Sequence, residues 1–325
     1  MSKNQIISTN TVSLLPILNE QTSAEQSGCS TSQEPSMLVS RRLPPWLRQN
    51  LGEGGGHGET AGLIAELELE TVCSSAKCPN RLECWSSGTA TFMILGNVCT
   101  RPCGFCSVPK GKTEELEDDE PHRVAEAARR LGLKHVVITS VDRDDLKGDY
   151  GASIWADTIK QTKKVNPECT VEVLTPDFKG YEPALKIVFD AKPDIFSHNV
   201  ECVERISKAV RAQANWKRSL GVLEKSIQYG LRTKTGIMVG LGEEAKEVKE
   251  TMRQVVDLGV QIFTIGQYLQ PTKNHLKVQE YVSKEQFEAY KEYGYSIGFK
   301  VVESGPLVRS SYHADEQARM VFNNG

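Results

Sequence analysis

No apolar run in the 325 residues approaches the roughly 18 needed to cross a bilayer, so an integral membrane protein is not expected. Charge of one sign is also scarce: 39 basic residues against 42 acidic leave a net charge of −3. A generic nucleic-acid binder gains affinity by neutralising phosphates and would carry a basic excess, so no nucleic-acid partner is expected. Arginine is missing before Arg41, whereas Glu20, Glu25 and Glu34 are present. A mitochondrial transit peptide would be Arg-rich and poor in acids, and no secretory apolar stretch opens the chain. A cytoplasmic protein of bacterial type is therefore expected. Nine cysteines, an odd count in a long chain, argue against a disulfide scaffold and for reduced thiols with a metal or catalytic role.

Six of the nine fall together: Cys73, Cys78, Cys84, Cys99, Cys103 and Cys106. Cys29, Cys169 and Cys202 are scattered and read as small apolar residues. Residues 1–40 are rich in Ser, Thr, Gln and Asn with few large apolar residues, which predicts a disordered tail. The stretch Arg41-Arg42-Leu43-Pro44-Pro45-Trp46-Leu47-Arg48 is basic and proline-marked, and the glycines from Gly52 to Gly58 predict a loop.

From about residue 90, β-branched runs alternate with helical spacing. Strands are expected at Thr91–Gly96, His135–Thr139, Thr170–Leu174, Ile195–His198, Gly236–Val239 and Gln261–Ile265. Helical faces are expected from Val124/Ala128/Leu131, Leu220/Leu223/Ile227 and Val248/Met252/Val255, stopped by Gly132, Gly230 and Gly259. Ser283 with Gln286 is a capping-box pattern for a late helix. Strands alternating with helices argue for parallel βαβ units in an α/β fold. The pattern alone leaves an open sheet and a barrel both standing. Polar or glycine-rich segments follow the strands, so one mouth at their carboxyl ends is expected to gather the functional residues.

Cys99-Thr-Arg-Pro-Cys103-Gly-Phe-Cys106 follows the first expected strand. Three thiolates there suit an iron–sulfur cluster with one iron left for another ligand, or a Cys3His zinc site with a distant histidine. Cys73-x4-Cys78-x5-Cys84 is neither a usual zinc nor a ferredoxin spacing, and Pro79 and Asn80 favour turns that wrap the chain.

The C-x3-C-x-aromatic-C run resembles the radical S-adenosylmethionine (SAM) enzymes. So does Gly236-Ile-Met-Val-Gly240-Leu-Gly-Glu243. With Val-Cys73-x4-Cys78-Pro-Asn-x2-Glu-Cys84-Trp, Thr139 to Asp145, Gly266-Gln-Tyr-Leu-Gln-Pro271 and Arg309-Ser310-Ser311-Tyr312-His313-Ala314, the resemblance narrows to the lipoyl synthases and runs from about residue 43 to 315. It implies a partial (β/α)6 TIM-type barrel over 91–270, an N-terminal extension over 41–90 with the auxiliary cysteines, and a C-terminal extension over 271–325. It implies two [4Fe-4S] clusters: one on Cys99, Cys103 and Cys106 that binds SAM, and an auxiliary one on Cys73, Cys78, Cys84 and Ser311. A Ser-Ser pair is ordinarily a polar turn, and only the resemblance nominates Ser311.

The implied cofactor contacts are Phe105, Glu172, Asn199, Gly236, Gly240 and Glu243. The implied reaction inserts sulfur at C6 and C8 of an octanoyl chain on a carrier lysine, with the auxiliary cluster as the sulfur source. The implied partners are octanoylated carrier domains of 2-oxoacid dehydrogenases or of the glycine-cleavage system, an electron donor such as ferredoxin or flavodoxin, and an iron–sulfur carrier. Asp142, Arg143, Asp144 and Asp145 are candidates for SAM's polar groups or for closing the mouth, and Arg41, Arg42, Arg211 and Arg218 for an acidic carrier. A biotin-synthase-like or methylthiotransferase-like enzyme, or a non-enzymatic metal protein, are the alternatives.

Overall fold

The computed structural model describes residues 43–47, 57–86 and 90–323. The expected tail over 1–40, Cys29, Arg41, Arg42, Arg48 and residues 52–56 of the glycine cluster lie outside the described residues. Gly58 does not sit in a loop: it belongs to the helix His57–Glu66.

All six expected strands are present, with two more. Their ranges are β1 Glu70–Thr71, β2 Thr91–Ile94, β3 His135–Ser140, β4 Thr170–Leu174, β5 Ile195–Ser197, β6 Thr233–Val239, β7 Ile262–Gln267 and β8 Val301–Gly305. They form one sheet in the strict order β1 to β8. The β1–β2 pair is antiparallel and every later pair is parallel. This order settles what the sequence pattern left open. A doubly wound sheet reverses its strand order at a switch point, which puts helices on both faces. Strictly sequential addition with right-handed crossovers puts all helices on one face and curls the sheet toward a barrel. No ladder joins β8 back to β1 or β2 among the described residues, so the barrel is incomplete. The parallel run also continues past the six expected strands, because β8 lies in what the sequence reading treated as an extension.

Strand alternation decides what faces the interior. In β2, Thr91 and Met93 line the central cavity, whereas Phe92 and Ile94 pack outward with the helices. In β3, His135, Val137 and Thr139 line it, and Val136 and Ile138 pack outward. The helices Glu120–Arg130, Trp216–Gln228 and Ala245–Asp257 appear where the spacing placed them. The Ser283 hydroxyl caps Lys284–Ile297, accepting from the Gln286 N–H at 3.2 Å. The last helix, Ala314–Asn323, packs Ala318 and Val321 on Ile195, Ile262 and Val301 at the starts of β5, β7 and β8. It covers the end of the barrel opposite the strand carboxyl ends.

Candidate active site

A cavity of about 820 Å3 fills the barrel, and all six clustered cysteines line it together with Ser311. The loop carrying Cys99, Cys103 and Cys106 leaves β2 and is folded by its own backbone. The Cys99 N–H donates to Pro109 O at 2.8 Å and the Cys106 N–H to Cys103 O at 3.3 Å. Gly104 is clamped from two sides: its N–H donates to Val210 O, and its carbonyl accepts from the Leu276 N–H, both at 3.0 Å. A side chain there would meet Leu276 at 2.9 Å, so glycine is required by the close approach. His275 Nε2 lies 3.0 Å from Cys106 O, and its Nδ1 is held 2.9 Å from Thr272 Oγ1.

Arg101, inside that loop, is 5% exposed and meets three carboxylates: Asp142 at 3.2 Å, Asp144 at 2.8 Å and Asp177 at 2.8 Å. Asp177 also meets Arg218 at 2.7 Å. Burial opposes the charge on Asp177, but Arg101, with Arg218 nearby, holds its carboxyl well below the usual range. The network ties the cysteine loop to the segments following β3 and β4. Of the acidic run after β3, only Asp142 lines the main cavity. Arg143 is buried and donates to Leu95 O at 3.1 Å and to Asp145, so those two are structural.

The second triad sits in two short helices, Val72–Ser75 and Arg81–Ser86, joined by a turn. The Cys78 N–H donates to Cys73 O at 3.1 Å and the Cys84 N–H to Asn80 O at 2.9 Å. Asn80 reaches far along the chain: its Nδ2 donates to Leu307 O at 2.7 Å. Ser107, next to Cys106, donates to Ser75 O at 2.7 Å and joins the two cysteine loops. The segment after β8 therefore lies against the auxiliary loop, with Tyr312 donating to Glu83 Oε1 at 3.2 Å. Thr91 Oγ1 donates to Ser311 Oγ at 2.7 Å, and Asn199 Nδ2 to Ser310 Oγ at 2.6 Å.

The donor set fits clusters better than a single ion. Zinc at about 2.3 Å from each sulfur would draw thiolates to within about 4 Å of one another. Among the described residues no three His, Cys, Asp or Glu side chains gather so tightly, and the thiols stand around a wide cavity instead. None of the described cysteines forms a disulfide. Cys99 Sγ accepts N–H groups of Arg101 and Asp142, each at 3.4 Å, the kind of contact that tunes a cluster thiolate. Burial pushes the Cys99 thiol up to about 11 and Cys103 up to about 12, with Asp142 adding to both. Such thiols ionise readily only when a cation compensates them. Cys169 and Cys202 are buried and do not line the cavity, as expected of small apolar residues.

The expected cofactor contacts divide. Phe105, Asn199 and Gly236 line the cavity. Asn199 Oδ1 is buried there with no partner among the described residues. A side chain at Gly236 would strike Thr264 Oγ1 at 2.1 Å. Glu172, Gly240 and Glu243 do not line it. Glu172 is fully buried with Lys234 at 2.8 Å and His135 at 3.4 Å; burial opposes its charge, but Lys234 keeps it ionised. Glu243 folds back to accept from the Leu241 N–H at 2.9 Å and from Gly240 N–H, bracing its own turn. Gly240 has φ +94 and abuts Glu280 O, which explains the glycine without a ligand. Arg211 is 7% exposed and donates to Asn199 O and Val200 O, so it is not a carrier-facing surface residue. Arg218 is tied to Asp177. Sequence reasoning missed Arg101, Asp177, His275 and Glu201. Glu201 is a half-buried carboxyl group on the cavity wall with φ +69, and a single glutamate after a strand carries no signal of that.

An incomplete parallel barrel with a three-cysteine loop after its first parallel strand places the chain in a class, and the sequence agrees: residues 93–255 match the Radical SAM superfamily. The solved structure of methylornithine synthase (PylB) superposes with a TM-score of 0.52 at 11% identity, covering 77% of this chain and 76% of that one. Streptococcus suis SuiB bound to S-adenosylmethionine superposes with a TM-score of 0.53 at 10% identity, covering 70% and 54%. These two share the fold. The chain belongs to the lipoyl synthase family. It is 54% identical to the lipoyl synthase of Rubrobacter xylanophilus over 84% of this chain and 86% of that protein. It is 52% identical to that of Flavobacterium psychrophilum over 84% and 94%, and 51% identical to the mitochondrial lipoyl synthase of Nematostella vectensis over the same shares.

Proposed function

We propose that this chain converts an octanoyl chain, amide-linked to a lysine of a carrier domain, into a lipoyl group by inserting sulfur at C6 and C8. The observation that carries the reading is the sharing of one cavity by two cysteine triads and Ser311. The carbons concerned bear unactivated C–H bonds. Shifting a side-chain pKa by a few units brings no residue near the acidity of an alkane, so acid–base catalysis is not the route. Cys99, Cys103 and Cys106 would hold a [4Fe-4S] cluster that, when reduced and with SAM bound, would supply a carbon radical able to take hydrogen atoms from such carbons. A second [4Fe-4S] cluster, on Cys73, Cys78, Cys84 and Ser311, is a substrate: it gives up the sulfur.

The remaining work belongs to the chain. Phe105 offers an aromatic surface to the adenine, and Gly236 leaves room beside it. Asn199 and Glu201 offer polar groups to the sugar and amino-acid portions of SAM. Arg101, with its three carboxylates, fixes the cysteine loop against the strand ends. The cavity walls exclude water, which protects a reactive radical and holds the reacting carbon close to its sulfur.

The domain division that goes with this reading is a tail over 1–40, an auxiliary-cluster extension over 41–90, the SAM-binding barrel over 91–270 and a closing segment over 271–325. Carrier domains of 2-oxoacid dehydrogenases or of glycine cleavage present the octanoyl-lysine. A ferredoxin or flavodoxin delivers electrons, and an iron–sulfur carrier rebuilds the auxiliary cluster. The compartment proposed with this reading is the cytoplasm. No described helix is long and apolar enough to cross a membrane. The test is anaerobic incubation of the reconstituted protein with SAM, reductant and an octanoyl-lysyl carrier peptide. Peptide mass should rise by two sulfurs as the dithiol, less two hydrogens once air oxidation after quenching closes the cyclic disulfide. An unchanged peptide alongside SAM cleavage would refute the substrate assignment.

A further inference from the structure

Thr91 is the first residue of β2, pairs with Val137 of β3, and is 5% exposed. Its hydroxyl reaches across to the segment after β8 and donates to Ser311 Oγ at 2.7 Å, joining residues 220 positions apart. The neighbouring serine is held from a different wall, where Asn199 donates to Ser310 Oγ at 2.6 Å. The two serines are thus pulled apart, one toward β2 and one toward the segment after β5.

A serine oxygen has two acceptor lone pairs. Donation from Thr91 occupies one of them and fixes the rotor of the side chain. The other remains for the cavity, where Cys73, Cys78 and Cys84 also stand. An oxygen bound to iron through one lone pair still accepts from Thr91 through the other, so both contacts coexist. We infer that Thr91 is a positioning residue for Ser311: its hydroxyl sets the direction in which the Ser311 oxygen meets the auxiliary iron. This rests on the proposed role of Ser311 as fourth ligand. Threonine suits the place because it is β-branched and packs in a strand while offering one short donor.

The test uses full-length protein carrying Cys99→Ala, Cys103→Ala and Cys106→Ala, reconstituted with Mössbauer-active iron so that only the auxiliary cluster remains. With Ser311 intact, one iron should differ from the other three, and Ser311→Ala should remove that distinct site. Thr91→Val keeps the shape and deletes the donor; it should give a mixed spectrum shifted toward that of Ser311→Ala. Thr91→Ser should restore the parent spectrum. With all cysteines present, Thr91→Val should lower sulfur insertion about ten- to a hundredfold, the range for a lost hydrogen bond to a charged or strongly polarised acceptor. Formation of 5′-deoxyadenosine should be unchanged. A parent spectrum and parent insertion rate in Thr91→Val, with Ser311→Ala altered, overturns the inference alone. A parent spectrum in Ser311→Ala refutes the ligand assignment beneath it. If Thr91→Ser fails as Thr91→Val does, packing and not the hydroxyl is responsible, and the inference is wrong.

Discussion

The two cysteine loops line the same cavity and are built in opposite ways. The loop over 99–106 is over-determined. Its backbone closes on itself, Gly104 is clamped from both sides, and Arg101 locks it through three carboxylates. The loop over 73–84 rests on short helices and on tethers to the far end of the chain, through Asn80 to Leu307 and through Tyr312 to Glu83. Its proposed fourth ligand is a serine oxygen, harder than a thiolate toward iron. The difference teaches how one chain serves two clusters. The loop over 99–106 is fixed by a buried charge network, whereas the loop over 73–84 is tied to the segment after β8; on the proposed function, the first site survives each cycle and the second gives up its cluster.

The largest effects should come from breaking one loop at a time. Cys103→Ala should abolish 5′-deoxyadenosine and lipoyl product together. Cys78→Ala should leave SAM cleavage measurable and abolish sulfur insertion, read by chromatography of the nucleoside and mass of the peptide. Parent-rate product from Cys78→Ala would erase the contrast between the loops.

Next in size is the buried pair Glu172–Lys234, which lies in the barrel wall and belongs to neither loop. Glu172→Gln leaves Lys234 charged and buried, and should cost about 3–5 kcal/mol in chemical denaturation. Replacing both residues by methionine should recover most of that loss. If Glu172→Gln instead raised the KM for SAM without loss of stability, Glu172 would be a cofactor contact after all.

A pH effect of up to about 3 kcal/mol should come from His198. It is fully buried, with Nδ1 2.9 Å from Thr175 O and Nε2 3.0 Å from Ser219 Oγ. Burial, helped by Arg211, lowers its pKa to about 4. The unfolded chain therefore takes up this proton first as pH falls. The stability conferred by neutral His198 is complete above about pH 6.5 and is lost toward pH 4, at about 1.4 kcal/mol per pH unit. His198→Gln should flatten that slope in urea titrations across the range.

The smallest effect tests the tether. Asn80→Ala leaves Leu307 O without its donor and should cost about 1–3 kcal/mol. Product formation should fall while 5′-deoxyadenosine formation holds, sharpening the claim that only the auxiliary loop depends on the distant segment.

Much of the frame was legible because strand and helix periodicities are local. The six strands and three helical faces follow from residues a few positions apart. β8 was missed because Val301-Val302-Glu303-Ser304-Gly305 is short and follows the 14-residue helix Lys284–Ile297 in a stretch already assigned as an extension. Periodicity alone did not separate barrel from open sheet, since that choice lies in strand order; the family resemblance implied the partial barrel that the strand order shows. Within the site, the cysteines were readable because few other arrangements gather three thiols so closely. Arg101 was not, although it lies between two of them: its partners Asp142, Asp144 and Asp177 come from two other loops. For Glu172 the inward strand position was readable but its ion pair was not, since Lys234 lies 62 residues away.

The central claim is that the auxiliary loop holds a cluster to be spent. Its most direct test is one turnover with protein whose clusters are rebuilt with isotopically heavy sulfide, then freed of loose sulfide and given SAM, reductant and octanoyl-lysyl peptide. Both sulfurs of the lipoyl product should be heavy, and product should stop at about one lipoyl group per chain. Light sulfur in the product, or steady turnover without cluster loss, would contradict the account.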